Sequence, residues 1–347
     1  MAHRSFDEQM EMLDALKGRP VDADAIALIR KSLASRSNLL VAKAARLTEE
    51  NSLTDLVPDL LAAFDRFFVS AEKSDPQCWA KNALSRALGR LECRDKQVFL
   101  RGLHHHQLEP TWGGRSDSAG TLRANCAHSL VGCEGLANQD LLLLLIDLLV
   151  DADKSVRVEA IRAISQVGDL ALPVLRLRAL IPGEDSEVVA ACFSALFALD
   201  REHSIAFVAS FLQAGDDSAA EAAFALAETH APQALDELLK THRNPSPAVT
   251  EPWFAGVLLS AIALTRLPQA IDYLIAMIER EEREAAIAIE ALAKLSPPAE
   301  LRARITRAVE EVGSPRLVRV LQEQLASAAA EGRVAKVGIS GNPSLRG

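Results

Sequence analysis

Residues 104–119 read HHHQLEPTWGGRSDSA, which sets three histidines, a tryptophan and a Gly-Gly pair beside Glu109, Arg115 and Asp117. Two chemistries use such a set: histidines with carboxylates ligate metals, and an aromatic with an arginine anchors a partner. Metal binding needs side chains that converge. Neighbouring helical residues point about 100° apart, so His104, His105 and His106 cannot all face one ion unless the helix ends there. No i, i+4 histidine pair and no HExxH motif accompanies them. At a helix C-terminus they complement the dipole without a ligand. We therefore expect neither metal nor cofactor, and read His128 as a surface residue that could approach Asp117.

The same stretch reads better as a recognition element, with Trp112 as anchor, Arg115 and Asp117 as orienting polar groups, and Glu109 and His106 beside them. The competing reading folds Trp112 back over the helix ends, since tryptophan is usually largely buried. A second enlarged turn, NPSPAVTEPW (244–253), brings Trp253 after another Glu-Pro. At about 10 Å per stacked helix layer, Trp112 and Trp253 are expected on the order of 40 Å apart, as separate features.

Other chemistries find no motif. Gly113-Gly114 lacks a phosphate-loop context, and no GxSxG is present. The cysteines at 78, 93, 126, 133 and 192 form no CxxC pair and are odd in number, which fits a reducing compartment. Cys126 and Cys192 fall on small apolar positions and read as packing residues. The start, MAHRSFDEQMEML, puts acids where a signal peptide would be apolar, so a cytoplasmic location is expected. LLLLLIDLLV (141–150) is too short for a bilayer that needs about 20 residues, so no membrane insertion is expected and the run reads as a buried helix.

These residues must be held by a scaffold, and the whole chain describes it. It has 347 residues, 49% of them apolar and only 4% aromatic, with alanine and leucine abundant, a composition that favours helices. The net charge of −9 belongs to the later part: Lys plus Arg against Asp plus Glu is 17 against 17 through residue 120 and 21 against 30 after it. That balance argues against a nucleic-acid partner. Lys81, Arg86, Arg90 and Arg94 read as one solvated helix face.

A repeat runs through the chain. In QDLLLLLIDLLVDADKSVRVEAIRAISQVG (139–168) an apolar helix, a short acidic turn and a second helix follow one another. The small-x-x-small-apolar signature recurs in CAHSL, AIRAI, CFSAL, AFAL, SAIAL and AIEAL, at offsets of 34, 32, 30, 38 and 28 residues. A small residue lets neighbouring helices approach, and the apolar residue a turn later fills the space beside it. Ser155, Thr121 and Thr250 stand where second helices should begin and are read as N-caps, with Pro252 in a first turn.

The unit with Asp153, Val156, Arg157, Ala160 and Ile164 resembles the HEAT repeat, and the short offsets are most similar to its phycobilisome-lyase-type subclass. The arginine persists at Arg123 and Arg157, while Val189 and Ala220 replace it elsewhere. The resemblance implies an all-α fold, a right-handed two-layer α-solenoid of about eight or nine helical hairpins. Residues 1–35 would form a polar helical cap, 36–330 the array with its enlarged turn at 104–119, and 331–347 a flexible tail. HEAT enzymes resembling deoxyhypusine hydroxylase carry His-Glu pairs, and this chain has none. The expected function is a non-enzymatic scaffold or adaptor holding a protein or peptide on its concave face and enlarged turns. The alternative is a lyase-like or chaperone-like factor, or an enzyme subunit, working through the 104–119 loop.

Overall fold

The computed structural model describes residues 6–245 and 251–326; the expected tail and part of the 244–253 turn, Thr250 included, lie outside them. The described chain is mostly helical. It divides into two compact units, Met1–Ala195 and Leu196–Gly347. The first holds α1 (Phe6–Asp14), α2 (Ala23–Leu33), α3 (Asn38–Glu50), α4 (Val57–Arg66), α5 (Ala71–Ser74), α6 (Trp79–Arg90), α7 (Lys96–Leu103), α8 (Gly120–Leu130), α9 (Asn138–Ile146), α10 (Lys154–Ile164), α11 (Leu172–Ala179) and most of α12 (Ser186–Leu199). In the second lie α13 (Arg201–Ala209), α14 (Asp217–Glu228), α15 (Pro232–Arg243), α16 (Pro252–Leu264), α17 (Pro268–Glu279), α18 (Ala285–Lys294), α19 (Ala299–Val312) and a helix over 315–326.

In the first unit α3 packs on α6, α6 on α8 and α8 on α10, while α2 lies on α4 and α7 on α8. The contacts are made by buried small residues, Ala80, Ala83 and Ala87 on α6, Cys126 and Ala127 on α8, and Ala160 and Ala163 on α10. Gly102 marks a close approach of α7 to α8. A methyl there would run into the Cys126 sulfur, with Leu122 Cδ1 3.3 Å away. Phe64, Phe67 and Phe99 fill the space between helices, each contributing about 1.5–3 kcal/mol by burial. The second unit repeats the scheme: α14 packs on α16, α16 on α18, α13 on α15 and α17 on α19, around Leu226, Phe254, Ile262 and Ile289. His242 ties three of its elements together, with Nδ1 2.9 Å from the Tyr273 hydroxyl and Nε2 2.9 Å from Glu284 Oε2.

Several expectations are corrected. The N-cap of α10 is Asp153, whose side chain accepts from Ser155 N, so the cap lies two residues before Ser155. Helix α8 starts at Gly120, before Thr121, and α16 at Pro252 after Glu251. Lys81 is no part of a solvated face. It is fully buried, with Nζ 3.0 Å from the equally buried Asp75 carboxylate and a further contact to the Phe67 carbonyl. The LLLLLIDLLV segment buries Leu141, Leu145, Leu148 and Leu149 but leaves Leu143 and Val150 exposed. Among the described residues no helix is long and apolar enough to cross a membrane.

Candidate functional site

The enlarged turn at 104–119 is built as a hairpin. Two short strands, β1 (Leu108–Thr111) and β2 (Gly114–Asp117), pair antiparallel, with Leu108 opposite Asp117 and Thr111 opposite Gly114. Trp112 and Gly113 form the two-residue turn, and Gly113 takes a positive φ of +95°, which glycine adopts without steric cost. The ladder continues below the strands, where Ser118 N donates to the Gln107 carbonyl at 2.9 Å. Hydrogen-bonded pairs alternate along an antiparallel ladder, so Pro110 occupies an unbonded position and its missing N–H weakens no rung. The outward edge of β1 is closed by two features. Pro110 offers no donor, and the Leu108 carbonyl accepts from the Arg115 guanidinium.

At the tip Trp112 is fully exposed, which removes the reading in which it seals the helix ends. The hairpin's base explains why the tip can project. Asp117 Oδ1 accepts from Gln107 N and Ala119 N at 2.9 and 3.0 Å, and its Oδ2 lies 2.8 Å from His106 Nδ1 and 2.7 Å from Arg123. Partial burial pushes the Asp117 carboxyl up, but these four donors outweigh it and hold the group well below its ordinary range. Glu109 Oε1 accepts from Gln77 N at 2.7 Å, from Ser118 Oγ at 3.0 Å and from Gln107. Burial raises its pKa too, and the same donors bring it below the usual value. Asp117, expected to orient a partner, and Glu109, expected beside it, therefore fasten the hairpin to its own scaffold. Arg115 is exposed and reaches Glu72, and His106 is largely exposed beside Asp117.

Sequence reasoning missed the groups these anchors grip. Gln107 is buried and donates to the Asp75 carbonyl at 2.9 Å. The Glu109 contact stabilises Gln77 and Cys78, consecutive non-glycine residues at φ of 57° and 54°. Arg123, 2% exposed, joins the hairpin to the next turn through Asp151 Oδ2 and Oδ1 at 2.7 and 3.0 Å. One repeat on, Arg157 donates to the Asp151 carbonyl and to Glu184. The arginine shared by two repeat units was the one available signal for Arg123 and Arg157; nothing marked Gln107.

The histidines part company. His105 packs edge-on against Phe68, His106 meets Asp117 and His104 borders a cleft. Among the described residues no three His, Cys, Asp or Glu side chains are placed to hold a metal ion. The cleft, about 750 Å³, lies between the hairpin base and the 147–153 turn and is bordered by Leu108, Asp117, Asp147, Val150 and Asp153. In the second unit, Trp253 is partly exposed beside Phe224 and Ile287, along a shallow groove over α14, α16 and α18. No family model and no curated protein matches this chain.

Proposed function

We infer that the protein is a non-enzymatic binding scaffold of HEAT-like α-solenoid construction, and that the β1–β2 hairpin is its recognition element for a protein or peptide partner. The exposed Trp112 on a firmly anchored hairpin carries this reading. A large aromatic held in solvent on a rigid support keeps its desolvation free energy for a partner and loses little conformational entropy on binding. The consecutive packing of α3, α6, α8 and α10, and of α14, α16 and α18, supports the solenoid, as do the successive arginine contacts from Arg123 and Arg157 to the following turns. Because β1 offers a closed edge, recognition runs through the side chains of the tip. Changing Trp112 to Ala tests it: partners recovered from a native extract by the intact protein should be lost or weakened by about 2 kcal/mol, with the melting temperature unchanged. Unaltered recovery would refute the hairpin's role.

A further inference from the structure

The outer surface beside the hairpin carries a pattern that the tip does not account for. Asp140, Leu143, Asp147 and Val150 are all exposed, and their spacing of three, four and three residues places them on one face of α9 and the turn that follows it. The stripe alternates acid with apolar and runs into the cleft, whose border adds the exposed Leu108 and the carboxylate of Asp153. Nearby cations are already engaged: Lys154 with Asp185 and Glu187, Arg157 with Glu184, and Arg123 with Asp117 and Asp151. Asp140 and Asp147 make no ion pair with any described residue.

We propose that this stripe and the adjoining cleft seat a basic, apolar-studded segment of a partner protein, its Lys or Arg side chains on Asp140 and Asp147 and its apolar side chains on Leu143, Val150 and Leu108. The proposal rests on the reading of the chain as a binding scaffold. Charge complementarity selects the occupant. A second copy docking the same face would set acid against acid, since a two-fold interface meets its own patch. An anionic lipid surface or a nucleic acid is repelled for the same reason. A cationic amphipathic segment satisfies both halves of the pattern.

The test uses the full chain and three labelled synthetic peptides of about 14 residues, four helical turns: a Leu/Lys amphipathic repeat, the same repeat with Glu for Lys, and a Ser/Lys peptide of equal charge. Fluorescence anisotropy should show the Leu/Lys peptide binding at least ~10-fold more tightly than either control, and more weakly in about 0.5 M salt. Asp147→Lys and Val150→Ser should each weaken it ~5-fold or more. Asp236→Lys, an equal charge change on the exposed surface of the second unit, should leave it within ~2-fold. Equal losses in Asp147→Lys and Asp236→Lys would show attraction to net charge alone and overturn the proposal, as would equal binding of the Ser/Lys peptide or no saturable binding of the Leu/Lys peptide. If Trp112→Ala leaves partner recovery intact while the peptide discrimination holds, the hairpin's role fails and the stripe stands. If partner recovery depends on Trp112 while the peptides are not discriminated, the hairpin stands and the stripe fails.

Discussion

Asp117 shows how a residue chosen for recognition becomes an anchor. Its carboxylate serves two backbone amides, His106 and the nearly inaccessible Arg123. Asp117→Ala should cost about 3 kcal/mol, because a buried guanidinium loses one of its two carboxylates; Asp117→Asn, which keeps an acceptor for the amides, should cost less. Chemical denaturation reads both. The pH response follows from the lowered pKa. Above the ordinary value of 3.8 the folded and unfolded states are both ionised and the full stabilisation is present. As the pH falls from there towards the folded value, only the unfolded chain takes up the proton and the stabilisation drains away. Carbon-13 titration of the Asp117 carboxyl should therefore give a midpoint well below 3.8. The thiols make a second contrast. Cys78, Cys126 and Cys192 are buried, and burial pushes their pKa values up, Cys78 to about 11. A thiol reagent at about pH 8 should modify Cys93 first and reach these three only on unfolding.

Between elements, separation decides what can be read in advance. Helices were legible because alanine and leucine recur at helical spacing, and α7 and α8 fall where the repeat puts them. The hairpin was hidden: Leu-Glu-Pro-Thr and Gly-Arg-Ser-Asp show no apolar alternation, and a two-stranded ribbon stands by its register and the contacts at its base. Those contacts join residues far apart in the chain, such as Gln77 with Glu109 and Arg123 with Asp151. The exposed face of α9 was marked only by Asp140 and Asp147, and the unbroken leucine run between them gave no sign of which leucine faces water. Gly102 tests the packing. Gly102→Ala should destabilise the α7–α8 contact by about 1–3 kcal/mol, seen as a lower melting temperature, whereas Gly114→Ala, with open space around it, should not.

On the scale of the molecule, packing is local and comes in two compact units. Under the proposed solenoid reading, stability is roughly a sum of neighbouring terms. Hydrogen exchange should therefore respond regionally: Gly102→Ala should raise exchange in α6, α7 and α8 and leave α17 and α19 at their original protection. A uniform rise through the chain would mean a single cooperative fold. The anchored hairpin also makes the protein a natural display frame. Register bonds, the Asp117 and Glu109 clamps and the buried Gln107 all lie below the turn, so foreign sequence inserted between Trp112 and Gly113 would disturb none of them. It would cost little beyond loop closure, which grows by only about 0.6 kcal/mol for each doubling of length.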